Sequence, residues 1–361
     1  MGGCGRGGRR EVKILKGLVA VAAVLSLSAC THPVKEVPDP MSGAQSGEQS
    51  GAQSGAQSGD EGGNIALTAD QVHRIVDDIQ EVLDEAQEEN DPAILEERLV
   101  KPAIILREGQ FTRAEKTDTD LPRLLITPSV FSATVGNEWP RVLVVASEAE
   151  KDVPGEVFFI TQEDARSDYK LENWVRLVGG ESVRGVSVRD GSRVLERDAQ
   201  GLELTPEAAL ETYVNHLNSP DNDSYKVFAD NVFAPHYKEE ISTLNEAVEV
   251  AGKVTATAKT GDYPIIGVAL DTGDALVSSA FTYTTVFEKT VPGSSFELAG
   301  TPAAYVEDKE VKGSVSVNYL VSVFFLVPPE GSDDDIRVVG AERVITGVDR
   351  DDTEPEEGLE E

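Results

Sequence analysis

One order of elements occurs twice in this chain. In the first half, Trp139-Pro140 leads into a β-rich run at 142–146, an acidic loop and a second β-rich run at 157–161. In the second half, Tyr263-Pro264 leads into 265–270, the acidic turn Asp271 to Asp274, and 276–287. Further β-branched and aromatic runs lie at 169–178 and 183–188, then at 315–327 and 336–345. Two strands joined by a short polar turn, with no helix between them, must pair antiparallel. Each set of strands follows a helical stretch, and helices first with strands after is the order of an α+β domain.

The helical stretches carry their own start and stop signals. Thr68 and Gln71 have the spacing of a capping box, and Val72, Ile75, Val76, Ile79, Val82, Leu83 and Ala86 form one apolar stripe. Asn90-Asp91-Pro92 ends that helix and opens a second one, with Pro92 in its first turn; Pro102 interrupts it. In the second half Thr205 caps, Pro206 occupies the first turn, and Leu210, Tyr213, Val214 and Leu217 line one face. A helical piece with Ile241, Leu244 and Val248 follows Pro235. The expected fold class is therefore α+β, with two tandem domains at 65–200 and 201–348. Each has N-terminal helices packed on a curved antiparallel sheet.

The residues before this pair have a different character. Arg6, Arg9, Arg10, Lys13 and Lys16 make a basic start, and residues 18–27 are nearly all apolar. That is the layout of a secretory signal, and the apolar run is shorter than the ~20 residues that span a bilayer. It ends in Leu27-Ser28-Ala29-Cys30, which resembles the lipobox of bacterial lipoproteins. The resemblance implies that Leu27, Ser28 and Ala29 are read by the signal peptidase. Residues 1–29 are then removed, and Cys30 is lipidated as the first mature residue. Arg9-Arg10 also fits twin-arginine export, although the Glu-Val-Lys that follows departs from that motif. With Cys4 lost in the signal and Cys30 acylated, no thiol remains for a disulfide, a metal site or a nucleophile. Residues 31–64 contain SGAQ, SGEQ, SGAQ, SGAQ and SGDE in succession. This composition cannot build a core and makes a flexible tether with an r.m.s. span of about 30 Å. The folded part, with GLELTPEAAL at 201–210, is similar to uncharacterised actinobacterial lipoproteins. Its element order resembles the cystatin-like superfamily that includes nuclear transport factor 2-like domains. Neither resemblance implies an activity.

Charge excludes some functions. The chain has 32 Lys and Arg against 65 Asp and Glu; from Cys30 onward the balance is 27 against 64, a net −37. Such a surface is repelled by nucleic-acid phosphates and by anionic headgroups. Residues 349–361 hold eight acids and are expected to form a disordered tail.

No reaction is spelled out. Ser167-Asp168-Tyr169-Lys170, Lys259-Thr260-Gly261 and Ser316-Val317-Asn318 match the three motif strings of penicillin-recognising enzymes, but in the wrong order and with Ser167 in an expected turn. His32, His73, His216 and His236 show no metal-ligand spacing, and His216 is expected on a polar helix face. No catalytic residue, metal ligand or cofactor is assigned. Strict alternation along 169–178 sets Tyr169, Leu171, Val175 and Leu177 on one face. Trp174 falls on the other with Lys170, Glu172 and Arg176, where it would be covered by the other domain or would line a binding surface. The leading expectation is a non-enzymatic lipoprotein held to the outer face of the cell membrane through the lipid on Cys30. There it would bind or scaffold an envelope protein, and it would not bind nucleic acid. The alternatives are a small-ligand or enzymatic pocket of the nuclear transport factor 2-like kind and the solute-binding component of a transporter.

Overall fold

The computed structural model describes residues 67–135, 139–147, 154–183, 191–219 and 223–354. The signal, Cys30 and the tether lie outside the described residues. So do 184–190, which hold most of the strand expected at 183–188, and 355–361 of the tail.

The first half opens with helix α1 (Ala69–Glu89). The Thr68 hydroxyl accepts from the Gln71 N–H at 3.3 Å, and the Gln71 side chain accepts from the Thr68 N–H at 2.8 Å. Asn90, in the left-handed region at φ 52°, closes the helix. The expected second helix is only a 3₁₀ turn, Pro92–Glu97, because its following backbone is used elsewhere. The Arg98 carbonyl accepts from the Leu171 N–H at 2.8 Å, and the Val100 N–H donates to the Leu171 carbonyl at 3.0 Å. Helix α2 (Ala103–Thr117) follows Pro102. Then come β1 (Val130–Ala133), β2 (Arg141–Ser147), β3 (Glu156–Gln162), β4 (Lys170–Leu177) and the short β5 (Val194–Leu195).

The second half repeats the order. Helix α3 (Pro206–Asn218), capped by the Thr205 hydroxyl, is followed by the 3₁₀ turn Asp223–Val227 and helix α4 (Phe233–Val248). The strands are β6 (Gly252–Thr260), β7 (Ile266–Ala269), β8 (Ala275–Lys289), the two-residue pair β9 (Phe296–Glu297) and β10 (Glu310–Val311), β11 (Ser314–Val327) and β12 (Arg337–Asp351). Strand β6 leaves little trace in the sequence, since its inward residues Val254, Ala256 and Ala258 are small. It lies at a sheet edge, and Asn side chains cover its outer backbone. Asn218 accepts from the Ala258 N–H and donates to the Ala258 carbonyl, both at 2.8 Å, and Asn245 accepts from the Val254 N–H at 2.8 Å. Edge strands left open invite pairing with another chain, and here the side-chain amides take the place of a partner. Strand β12 runs to Asp351, so 349–351, read from sequence as tail, pair instead with residues 314–316.

All named strand pairs are antiparallel, and one sheet runs through both halves in the order β1-β2-β3-β4-β12-β11-β8-β7-β5, with β6 on β8. The junction is short: Gly340 and Ala341 of β12 oppose Leu177 and Arg176 of β4. Beyond it the sheet folds back on itself. Val142, Val144, Val157, Phe159 and Val175 from the first half pack against Val268, Leu276, Phe324, Leu326 and Val339 from the second. The Phe159 and Phe324 rings meet edge to face at 5.0 Å. A parallel bridge between Thr134 and Ser192 joins β1 to the segment that enters β5, so the two ends of the path come together. The opposite face of the first half, with Leu143, Phe158, Ile160 and Trp174, is covered by α1 and α2. The opposite face of the second, with Phe281, Val321 and Phe325, is covered by α3 and α4. The layers are helices, sheet, sheet and helices.

The junction tolerates no side chain at 340. A Cβ there would stand 2.7 Å from the Arg176 carbonyl oxygen and 2.5 Å from a Val175 methyl. Gly340→Ala is expected to cost about 1–3 kcal/mol through overpacking against backbone. The measurement is urea unfolding, with a lower midpoint at unchanged slope.

Candidate functional site

The polar interior begins with a fault in β4. Phe159 opposes Asn173 while Ile160 opposes Leu171, so Glu172 is an extra residue, a β-bulge. Glu172 and Asn173 both turn toward the space between the sheets, and from Trp174 onward the alternation is reversed. Asn173 is fully engaged there. Its amide donates to the Ser278 hydroxyl at 3.0 Å and the Ser279 carbonyl at 3.2 Å, and its oxygen accepts from the Ser322 hydroxyl at 2.6 Å. One side chain of the first half thus reaches two strands of the second. Glu172, 5 % exposed, has its carboxyl pushed up to about 7 by burial, which a hydrogen bond from Thr161 only partly counters.

Two charged clusters flank this interior. Under α2, the Arg107 guanidinium donates to Gln110 at 2.7 Å, to the Pro122 carbonyl at 2.6 Å and to Gln87 at 3.1 Å. Gln110 donates to Glu342 of β12, which also pairs with Arg176 at 3.2 Å, and Arg176 pairs with Glu156 at 3.3 Å. Burial lowers Arg107 to about 10 and raises Glu156 to about 7 despite Arg176 beside it; burial raises Glu342 as well. On the other face, Arg343 donates to the Tyr283 hydroxyl at 2.7 Å and to Glu240 at 2.8 Å, and lies 5.3 Å from the Tyr319 ring centre. Tyr283 stacks on Tyr319 at 4.4 Å, and Tyr237 meets Tyr283 edge on. Although Arg107 Nε and the Tyr237 hydroxyl are left without a partner, the cations of both clusters have partners from neighbouring elements. That is how a buried charge is tolerated, and it fixes register more than it adds stability.

A cleft of about 350 Å³ is lined by Ala229, Asp274, Leu326, Pro328, Asp333, Asp334, Asp335 and Arg337. Arg337 is paired with Glu181, and Asp274 accepts from the Thr272 hydroxyl at 2.8 Å. Among the described residues no group of three His, Cys, Asp or Glu could hold a metal ion.

The residues singled out in the sequence do not converge. Trp174 is fully buried with Leu171 and Tyr169 beneath the helices, because the bulge at Glu172 moves it off the charged face; it lines no surface. His216, expected on a polar face, is 8 % exposed. Its ring stacks on Tyr225 at 3.4 Å, and its Nε2 lies 2.8 Å from the Lys238 ammonium. Burial lowers its pKa, and Lys238 lowers it further. His73 and His236 are exposed. Ser167 sits in the β3–β4 turn, while Lys259 and Ser316 oppose Thr282 and Val286 at separate points along β8, so the three motif strings form no site. Lipobox residues Leu27, Ser28, Ala29 and Cys30 lie outside the described residues. Alternation alone hid the Glu172–Asn173 pair, since a bulge has no periodic signature.

A carboxyl raised to about 7 in the fold, against 4.5 for the free side chain, makes the folded state bind the extra proton. The stability is fully present below about pH 4.5 and is lost as pH rises through about 7. Glu172→Gln is expected to be near neutral at pH 5 and to stabilise by up to about 3 kcal/mol at pH 8. Chemical denaturation of both proteins at the two pH values checks this.

Comparison of the chain with protein-family models, with curated proteins and with solved structures finds no match to any of the three.

Proposed function

We propose that this protein is a lipoprotein held to the outer face of the cell membrane through Cys30, and that it acts by binding or scaffolding an envelope partner rather than by catalysis. The observation that carries this reading is Leu27-Ser28-Ala29-Cys30, set between a basic-then-apolar start and a Ser-Gly repeat tether. Two acyl chains hold firmly where one would be marginal, at roughly 0.8 kcal/mol for each buried CH2. The tether then gives the folded part a reach of about 30 Å from the headgroups. Its acidic surface keeps it off anionic lipid and leaves the lipid as the attachment.

Two features support a binding role over bond-making. Two arginines of the described interior are spent on neighbouring groups: Arg343 on Glu240 and Tyr283, Arg176 on Glu156 and Glu342. A catalytic pair instead needs groups whose environments set them apart and face a substrate. Each half also brings its own helices to its own sheet face, which fits a duplicated α+β domain related to the uncharacterised actinobacterial lipoproteins.

In the native host, Cys30→Ala is expected to abolish incorporation of labelled fatty acid and to move the protein from the detergent phase to the aqueous phase, with the fold unchanged by circular dichroism. Retained label would remove the lipid anchor from the proposal. Crosslinking in intact cells followed by mass spectrometry tests the second part. One reproducible stoichiometric partner is expected with the wild type and is lost with Cys30→Ala.

A further inference from the structure

The helix-covered face of the first half is built in rows across β2, β3 and β4. One row is Leu143, Ile160 and Leu171, and the next is Val145, Phe158 and Trp174; both are apolar and buried. The row at the open end is different. Arg141 opposes Gln162, and since Thr161 opposes Lys170, Gln162 faces Tyr169. Side chains directly opposite on one face have Cβ atoms about 4.5–5.5 Å apart, so Arg141, Gln162 and Tyr169 stand side by side.

Each of these three has a buried polar atom without a hydrogen-bond partner: Nε of Arg141, Oε1 of Gln162 and the hydroxyl of Tyr169. Tyr169 is 8 % exposed. The Gln162 amide nitrogen is already committed to the Ser167 carbonyl at 2.6 Å, so its oxygen is the end turned into the row. The Arg141 guanidinium lies 4.3 Å from the centre of the Trp139 ring, and no described carboxylate pairs with it. Burial raises the Tyr169 pKa, and the Arg141 guanidinium, within reach of its hydroxyl, counters only part of that rise. Such atoms also occur singly among the described residues, at Arg107, Trp174, His216, Tyr237 and Tyr305, but three on adjacent side chains mark a place where a partner from outside belongs.

We propose that this row is a ligand site for a free carboxylate with an adjacent N–H, the chemistry of an N-acyl amino acid or a peptide C-terminus. The carboxylate accepts from the Arg141 fork and the Tyr169 hydroxyl, and the neighbouring N–H donates to Gln162 Oε1. Trp139 offers a flat apolar wall to the rest of the molecule. The site stands apart from lipidation and from any protein partner, and it holds whether or not those are found.

The test is titration of the full-length protein with N-acetylalanine, its methyl ester and acetyl-alanyl-alanine, read by calorimetry and by the fluorescence of Trp139, one of two tryptophans. Saturable binding of the free acid is expected, with the ester roughly tenfold weaker or more because a charge-assisted bond is lost. The dipeptide separates the two sources: tighter binding indicates a peptide end, and weaker binding a single acylated residue. Tyr169→Phe removes one oxygen and leaves packing intact, and is expected to weaken binding about three- to tenfold. Arg141→Lys keeps the charge but loses the fork, and is expected to weaken it roughly tenfold or more. Glu240→Gln, in the other cluster, should change nothing. Absence of saturable binding by all three compounds, or equal binding by Tyr169→Phe and Arg141→Lys, would overturn the proposal and leave solvent as the occupant of the row.

Discussion

The structure depends on the contact of β4 with β12. Two residues on each strand carry it, and Gly340 makes it possible by letting the backbones approach. Through that seam the two helix-covered sheets become one path, and the bare face of each is buried against the other. Without it, Val144, Phe159, Phe324 and Leu326 would face water. The cost of exposing such residues, about 1.5–3 kcal/mol for each side chain, is far larger than the ladder bonds at the seam itself. The seam directs the packing, and the apolar interior supplies the energy.

The bulge in β4 follows from the same constraint. A strand that pairs with β3 along its length and then turns onto β12 must bend, and an extra residue lets it do so. The bend places Asn173 against Ser278 and Ser322, a satisfied polar contact that ties the halves at a single register. It also strands Glu172 between the sheets, where burial holds its carboxyl near neutrality. The charged clusters under α2 and α4 are matched in the same way by residues far apart in the chain. The Arg141 row is where three adjacent side chains are left unmatched together.

The features legible in the sequence were those set within a few residues. The Thr68–Gln71 capping box, the stripe from Val72 to Ala86, the Thr205 cap, and strands at 142–146, 157–161, 276–287 and 315–327 all stand where local chemistry put them. Misplaced features were set from a distance. Pro92–Glu97 stops short because Leu171 claims the backbone after it. His216 is buried by Tyr225, which lies beyond the end of its own helix. Residues 349–351 look like an acidic tail by composition and become strand because residues 314–316 offer a partner. The polar row at Arg141 was not visible either, since its members come from three strands and only register brings them together.

What the sequence by itself determined is the helix caps, the apolar stripes, the antiparallel pairing of neighbouring strands and the doubled order of elements. Those follow from dihedral preferences and from side-chain periods of 3.6 and 2, which act along the chain. The tertiary structure alone decided the order of strands across the sheet, which faces are shared, and the side on which Trp174 lies. A single extra residue at Glu172 reverses the period of two, and the need for that residue arises only when β4 must meet β12.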